Sequence, residues 1–286
     1  MRLIGTDRAR STAPGEAPGE APGIASGRVA RVSRPARARV ARVARAAAAV
    51  LVAAPLLSAC SAESLPRLGM PFPVTNQGPR ILLLWQASWL TALIVGGIVW
   101  GLIIWAVIFH RRKHPDDPLP KQTRYNLPIE VFYTVVPLIV VSVFFFYTAR
   151  DEAKITAVKP NPDVRVQVNA FQWSWQFQYL DENVEVTGTP GHLPTLVLPK
   201  GESVEFLLHS EDVIHSFWVP AFLFKMDVIP GRDNKFEVVP EKVGEYAGKC
   251  AELCGAYHSE MLFNVKIVEP ADYQKYIAGL KARSAQ

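Results

Sequence analysis

Two cysteines, two histidines and a methionine near the C-terminal end of the chain have the residue types and spacing of a soft metal site. Cys250 and Cys254 lie four residues apart, His258 and Met261 follow them, and His215 precedes Cys250 by 35 residues. Thiolate, imidazole and thioether groups together are the ligands that copper prefers. A single blue-copper ion takes one Cys, two His and a weak Met. The second cysteine therefore predicts two copper ions bridged by both thiolates, with one histidine for each ion and two weak axial ligands, the methionine and a carbonyl.

Three other interpretations of these residues remain open. Both cysteines could simply be core residues, since Cys is often buried. Two Cys and two His could bind one tetrahedral zinc ion, and an exported protein could join Cys250 to Cys254 in a disulfide. None of the three explains Met261 or the acidic Glu252 between the thiols, so we favour copper. A copper pair that shares one electron needs little ligand rearrangement and leaves no open position for a substrate, which indicates electron transfer.

The segment 250–261 resembles the CuA motif of the cytochrome c oxidase subunit II family, and the resemblance extends over residues 82–269. It implies two transmembrane helices followed by an all-β cupredoxin-like Greek-key barrel. It also implies six copper ligands, the last through its backbone carbonyl: His215, Cys250, Cys254, His258, Met261 and Glu252. The carboxylate of Glu252 is then also expected to bind a magnesium ion shared with oxidase subunit I.

Other segments resemble the same family. Residues 210–220 resemble the strand and loop that present the first histidine ligand, and 225–232 resemble the stretch that lies against subunit I. Gln172, Trp173 and Trp175 resemble the aromatic region in which the first tryptophan receives the electrons. Residues 171–179 also carry a row of aromatic side chains on one strand face, and packing alone would explain that row.

The residues that could carry chemistry lie in a region with a β pattern. Short apolar runs between Pro and Gly turns predict strands at 164–168, 171–179, 195–198, 204–209, 236–239 and 262–268. This spacing is typical of an all-β sandwich or small barrel. A useful helical period appears only at 272–283. We place the outer domain at 151–270 and a C-terminal helix or tail at 271–286.

Two apolar runs precede that domain. Residues 81–109 carry no charge, and residues 127–148 carry only that of Glu130. Each reaches the length of about 20 residues that a membrane span needs. The loop 110–126 between them is basic, so the positive-inside rule places it in the cytoplasm. The anchor is thus 81–150, and both ends of the mature chain are expected outside.

Glu130 is a carboxylate near the start of the second membrane helix. Such a residue is costly and often functional, although at this position it could also reach the interface. The spacing of Glu130, Thr134 and Pro137 resembles the family segment whose glutamate marks the mouth of a proton channel in subunit I.

The first 59 residues have the pattern of an export signal. Residues 1–35 are rich in Ala, Pro, Gly and Arg without an apolar period, which indicates disorder or removal. An Arg-rich stretch and the apolar run 46–57 then lead to Ser58, Ala59 and Cys60, which is typical of a secretory signal. The ending resembles the lipobox of bacterial lipoproteins and implies that Cys60 is acylated. An ordinary signal peptide is the alternative. After cleavage, residues 60–80 would form an exported segment.

The net charge of +5 is unevenly distributed. Residues 151–286 hold 13 basic and 19 acidic residues, whereas residues 1–150 hold 18 basic and 7 acidic residues. This division argues against a nucleic-acid surface and indicates a topology signal followed by an acidic outer domain. Such a domain would attract a basic c-type cytochrome. The chain also resembles actinobacterial members of the family, in which the cytochrome of a bc complex is a possible donor.

The predicted function is therefore that of subunit II of a haem–copper cytochrome c oxidase in a bacterial plasma membrane. Electrons from a c-type cytochrome would reach a haem in subunit I, where oxygen is reduced to water and protons are translocated. We expect the oxygen chemistry on that other subunit. The alternative is a copper-binding or assembly protein of the respiratory chain. Quinol oxidase subunits lack the copper ligands, and nitrous oxide reductase needs a further large domain.

Overall fold

The computed structural model describes residues 64–189 and 191–285. The expected signal segment 1–59 and the expected lipid-attachment residue Cys60 lie outside the described residues.

Two long apolar helices come first in the described chain. Helix α1 spans Gly78–Phe109 and helix α2 spans Leu127–Ile155. Both are long and apolar enough to cross a membrane, and their most apolar stretches are unburied within the chain. The predicted pair of helices is confirmed. Helix α2 extends past the predicted end at Thr148, because the residues that follow include good helix formers such as Ala, Arg, Glu and Lys.

The β-domain is built from ten strands in the part of the chain that the structure describes, followed by a third helix. Their bounds are β1 (Val164–Phe171), β2 (Ser174–Tyr179), β3 (Val184–Thr187), β4 (Thr195–Pro199), β5 (Val204–Ser210), β6 (His215–Val219), β7 (Phe224–Val228), β8 (Asn234–Val238), β9 (Gly244–Cys250), β10 (Leu262–Val268) and helix α3 (Pro270–Ser284).

These strands form two five-stranded sheets. One has the order β3-β2-β1-β5-β8 and the other the order β4-β10-β9-β6-β7. The pairs β1–β5 and β4–β10 are parallel, and the other pairs are antiparallel. The parallel pairs join strands that are distant in sequence, so the chain crosses between the sheets rather than forming a simple meander. Two apolar helices followed by an all-β domain of two sheets agree with the predicted fold class.

Aromatic side chains fill the core between the sheets. Trp175, Phe177, Phe217 and Phe263 are each at most 2% exposed. The rings of Phe217 and Phe263 stack at 4.9 Å, and Trp175 meets Phe263 edge-on at 5.2 Å. Such aromatic pairs stabilise a core beyond the area that they bury. The loops at one end of the domain therefore pack on rigidly held aromatic side chains.

The aromatic run 171–179, predicted as one strand, is a hairpin instead. Strand β1 ends at Phe171, which pairs with Ser174 at the start of β2. Trp173 therefore lies in the turn and is only half-buried, whereas Trp175 is fully buried on β2. Aromatic residues occupy every second position from 171 to 179, in the turn as well as in both strands. Their alternation therefore did not show where the turn lies.

Four strands were not predicted from apolar runs: β3, β6, β7 and β9. Strand β9 shows the reason, since its sequence Gly-Glu-Tyr-Ala-Gly-Lys-Cys contains few apolar residues. It is a strand because it lies between β10 and β6 and pairs with both. Tertiary pairing thus overrides a weak local preference.

The segment that leads into α1 is fixed to the β-domain by backbone hydrogen bonds. The N–H of Val74 donates to the carbonyl of Ala221 (3.1 Å), and the N–H of Glu241 donates to the carbonyl of Val74 (2.8 Å). The N–H of Asn76 donates to the carbonyl of Val239 (3.0 Å), whose own N–H donates to the Asn76 side chain (2.9 Å).

Gln77 joins three elements where α1 begins and α2 ends. Its side-chain amide donates to the carbonyl of Ile155, the last residue of α2 (3.1 Å), and to that of Glu237 on β8 (2.5 Å). Nearby, Arg80 of α1 forms an ion pair with the buried Asp151 of α2 (3.1 Å). These contacts set the orientation of the β-domain on its helices.

Candidate metal centre

The candidate ligands lie where the ends of two adjacent strands meet. His215 is the first residue of β6 and Cys250 is the last residue of β9. The two strands pair through Phe217 and Cys250. The N–H of Ala251 then donates to the carbonyl of Ser216 (3.1 Å), which holds the loop after β9 against β6. Residues 35 positions apart in sequence therefore become neighbours.

The two thiols lie side by side, and each faces one imidazole nitrogen. The Sγ atoms of Cys250 and Cys254 are 3.8 Å apart. His215 Nδ1 lies 3.9 Å from the Cys250 sulfur, and His258 Nδ1 lies 3.5 Å from the Cys254 sulfur. The ligand atoms of His215, Cys250 and Cys254 all lie within 4.8 Å of one another. All four side chains can thus reach one small volume.

Two further soft or weak donors complete the cluster. The sulfur of Met261 lies 3.7 Å from that of Cys254, and Met261 is fully buried. The backbone carbonyl of Glu252 lies 3.2 Å from the Cys250 sulfur. The structure therefore brings together all six donors singled out in the sequence.

Both cysteines are free thiols. Their sulfur atoms are 3.8 Å apart, whereas a disulfide bond measures about 2.05 Å. The disulfide interpretation does not describe this structure. Cys250 and Cys254 are indeed buried, but they face polar donors rather than apolar side chains alone, which separates them from ordinary core cysteines.

The two thiols have opposite pKa shifts. Burial raises the pKa of the Cys250 thiol, but hydrogen bonds with His215 and with the backbone of Glu252 and Ser216 outweigh it, so the pKa falls to about 6. Burial and the charge of the neighbouring Cys250 raise the pKa of Cys254 to about 12. A pair of thiolates at this distance therefore needs a cation to stabilise it, and a bound metal ion supplies that positive charge.

Asp212 fixes the orientation of His215. Its carboxylate lies 2.8 Å from His215 Nε2 and accepts hydrogen bonds from the backbone N–H groups of Gln172 (2.7 Å) and Val213 (2.6 Å). Burial raises the pKa of Asp212, but these hydrogen bonds outweigh it and lower the pKa. The ionised carboxylate favours the tautomer with its proton on Nε2 and leaves Nδ1 facing the thiol, as carboxylates that hydrogen-bond to metal-binding histidines do.

Asp212 was missed by the sequence reasoning as an individual residue, although it lies within the segment 210–220. Its position three residues before His215 was the available signal. Nothing in that spacing alone distinguishes it from a solvated turn residue, because the contact depends on how the loop between β5 and β6 folds.

Trp173 contacts the ligand loop directly. Its indole N–H donates to the carbonyl of Cys254 (3.2 Å), and the Gln172 side chain donates to the same oxygen (2.8 Å). Trp175 is instead a core residue whose indole donates to the carbonyl of Met261 (3.3 Å). Packing explains the buried Trp175, but it does not explain a half-buried Trp173 hydrogen-bonded to a ligand loop.

The carboxylate of Glu252 lies at the surface of the domain and forms an ion pair. It lies 3.3 Å from the ammonium group of Lys225 on β7 and is 44% exposed. Lys225 also lies 3.4 Å from Asp227. Glu252 therefore offers its carbonyl to the cluster while its side chain lies at the surface.

Glu130 is not brought near this cluster. Its carboxylate accepts a hydrogen bond from the N–H of Asn126 (2.9 Å), and the Asn126 side chain accepts one from the N–H of Ile129 (3.4 Å). This reciprocal pair caps α2. The helix rises about 1.5 Å per residue, so its length separates Glu130 from the β-domain at the other end of α2.

Comparisons with known proteins agree on one family. Residues 192–268 match the family model described as cytochrome c oxidase subunit II, periplasmic domain. A curated relative from Streptomyces avermitilis, named "Probable cytochrome c oxidase subunit 2", is 50% identical over 262 residues, which cover 78% of this chain and 82% of the relative. Cytochrome c oxidase subunit 2 of Mycobacterium tuberculosis is 34% identical over 279 residues, which cover 77% of each chain.

Solved structures of similar proteins include the periplasmic domain of subunit II of the cytochrome oxidase of Bradyrhizobium japonicum. That domain is 29% identical and covers 44% of this chain and 99% of its own, with a TM-score of 0.41.

Proposed function

The chain belongs to the cytochrome c oxidase subunit II family, and from this premise we propose that it holds a binuclear copper centre through which electrons enter the oxidase. Family membership makes it a subunit of a haem–copper oxidoreductase complex in a membrane, and its two apolar helices agree with a two-pass anchor.

The arrangement of the thiols carries this proposal. Each of two neighbouring cysteine sulfurs faces its own histidine nitrogen, at 3.9 and 3.5 Å. Cys250 and Cys254 would hold two metal ions together with His215 and His258. The Met261 sulfur and the Glu252 carbonyl would be two further, weaker donors. Six donors exceed the four of a structural zinc site, and the thioether favours copper.

When bound, the copper pair supplies one-electron redox chemistry. The protein's own residues prepare the site for it. Asp212 fixes the tautomer of His215, and the buried Met261 and Trp175 exclude water from one side of the site. Ligands held in this way need to move little when the charge changes, which suits electron transfer.

Electrons are proposed to arrive through Trp173 from a c-type cytochrome, soluble or part of a bc complex. The indole hydrogen bond to Cys254 supports this role, because it links a partly exposed aromatic ring to a proposed ligand. The acidic outer domain would attract a basic cytochrome and raise its association rate at low salt. The electrons then pass to a haem in subunit I, where oxygen is reduced and protons are translocated.

Two proposed roles depend on subunit I. The Glu252 carboxylate would bind the shared magnesium ion, and it would then exchange its ion pair with Lys225 for the metal. Glu130 would mark the mouth of the proton channel, in addition to capping α2.

The proposed location is the bacterial plasma membrane, with the β-domain on the outer face. The basic loop 110–126 would lie in the cytoplasm by the positive-inside rule. The N-terminus of the mature chain would lie outside, where an acylated Cys60 would add a lipid anchor.

Stopped-flow reduction of the purified oxidase complex tests the proposal. A reduced c-type cytochrome should reduce the copper-loaded complex rapidly, whereas a quinol should not do so directly. Removal of copper from this subunit should abolish the fast phase. A copper-binding or assembly protein would instead pass its copper to an acceptor protein and show no dependence on cytochrome. Rapid reduction by quinol, or by cytochrome without copper, would contradict the proposal.

A further inference from the structure

Tyr257 is an exposed aromatic residue that touches Trp173. Its side chain is 53% exposed, although it lies in the loop that carries the proposed ligands. The two ring centroids are 4.9 Å apart with an interplanar angle of 75°, which is an edge-to-face contact. This geometry is favourable for aromatic pairs. Such a contact restrains the orientation of both rings.

The backbone of Tyr257 is itself fixed by the ligand loop. It immediately precedes His258, whose Nδ1 lies 3.5 Å from the Cys254 sulfur. Its carbonyl accepts the N–H of Glu260 (3.0 Å), and the carbonyl of Gly255 accepts the N–H of His258 (3.2 Å). The side chains of Tyr257 and His258 therefore come from the same short, hydrogen-bonded turn.

The indole of Trp173 approaches this turn closely. Gly255 has a φ of +121°, and a Cβ atom there would lie 3.1 Å from the indole nitrogen and 3.1 Å from the Gln172 side-chain nitrogen. The glycine thus gives the loop its conformation and lets the indole N–H reach the Cys254 carbonyl.

Open space lies beside the indole. A groove of about 570 Å³ is lined by Trp173, Tyr257, Leu193 and Leu262 among other residues. A half-buried indole beside such a groove has room to rotate away from Cys254. The edge-to-face contact with Tyr257 opposes that rotation.

We propose that Tyr257 is a positioning residue for electron transfer, which holds the Trp173 indole in the orientation that donates to the Cys254 carbonyl. One electron would leave the reduced haem of the donor cytochrome, which is oxidised, and pass through this indole, hydrogen bond and cysteine to the copper that Cys250 and Cys254 would hold, which is reduced. No proton is transferred. The inference rests on the proposed role of Trp173 and adds a residue to it.

Kinetics of the oxidase complex with Tyr257 variants test the inference. Tyr257→Ala should slow electron transfer from bound cytochrome to copper by about two- to ten-fold, the range set by losing one aromatic contact. Tyr257→Phe keeps the aromatic ring and should transfer electrons at the wild-type rate. The copper content and copper spectrum should stay unchanged in both variants. Leu193→Ala, which removes apolar surface from the same groove, is the matched control and should transfer electrons at the normal rate.

Saturating cytochrome separates positioning from docking. A positioning role lowers the limiting rate, whereas a role only in donor binding would raise the cytochrome concentration needed and leave that rate unchanged. The latter result would overturn the inference.

The Trp173→Phe background separates this inference from the proposed function. If both residues act through one bridge, Tyr257→Ala should add little slowing in that background. Full, independent slowing there would contradict the positioning role. Normal transfer in Trp173→Phe alone would instead contradict the role of Trp173 itself.

Discussion

At the scale of single residues, the proposed ligands differ in how firmly they would hold the metal. The two cysteines and the two histidines surround one volume, and Asp212 fixes His215 through the Nε2 atom of that histidine. Met261 approaches only one sulfur, at 3.7 Å. Weak axial thioethers tune the potential of copper centres more than they determine binding.

Met261→Leu therefore provides a test of this difference. The substitution nearly conserves volume at a fully buried site, so the cost in stability should stay below about 1.5 kcal/mol. The variant should keep both coppers but show a changed reduction potential in a redox titration. Met70→Leu, ahead of α1, is the control and should leave the potential unchanged. Loss of one copper from Met261→Leu would show that the thioether holds the metal.

Residue types and spacing singled out five side chains that lie close together in the structure, because thiolates, imidazoles and a thioether in one short segment are typical of a copper site. The carbonyl of Glu252 was added only by the family resemblance. Residue types and spacing were not sufficient for Asp212 or Tyr257. Asp and Tyr are common in loops, and both acquire their roles from contacts between segments: Asp212 with His215 and Gln172, and Tyr257 with Trp173. Such contacts follow from the fold and not from local sequence.

At the scale of elements, the two strands that carry the first two proposed ligands, β6 and β9, were not predicted from apolar runs in the sequence. Strand β9 ends in Cys250 but is held mainly by its neighbours β10 and β6. Strand β10 alternates buried and exposed residues and was predicted with its correct bounds. The apolar helices were equally clear, because their composition is set by lipid rather than by a partner element.

The hydrogen bonds of Gln77 between the helices and the β-domain can be tested by mutation. Gln77→Ala removes a donor from the carbonyls of Ile155 and Glu237, which should cost about 1–3 kcal/mol. Thermal unfolding of the β-domain in the detergent-solubilised chain measures this cost. Gln86→Ala on the same helix is the control, since its amide bonds only the exposed carbonyl of Pro66, and it should change stability by less than about 0.5 kcal/mol. Equal stability of the two variants would mean that the junction does not depend on Gln77.

At the scale of the whole molecule, the chain combines a membrane anchor with a domain of opposite charge character. The hydrogen bonds from Val74, Asn76 and Gln77 fix the β-domain to the start of α1 and the end of α2. Electron transfer through the oxidase needs a fixed distance between this domain and subunit I. A rigid junction therefore agrees with the proposed function better than a flexible linker would.

The N-terminus provides a prediction at the same scale. If Cys60 is acylated, mass spectrometry of the native protein should find a mature chain that begins at a lipid-modified Cys60. Cys60→Ala should leave the two helices in the membrane, because one lipid chain adds far less than a spanning helix. A mature chain that begins upstream of Cys60 would contradict the lipoprotein interpretation.

Metal analysis and electron paramagnetic resonance of the purified, copper-loaded protein test the claim that Cys250 and Cys254 bridge two copper ions. The protein should contain two coppers per chain, appear purple, and give a mixed-valence spectrum in which one unpaired electron is shared by both ions. Cys250→Ser should abolish that spectrum, because one bridge is lost. One copper with a blue-copper spectrum, or zinc alone, would contradict the claim.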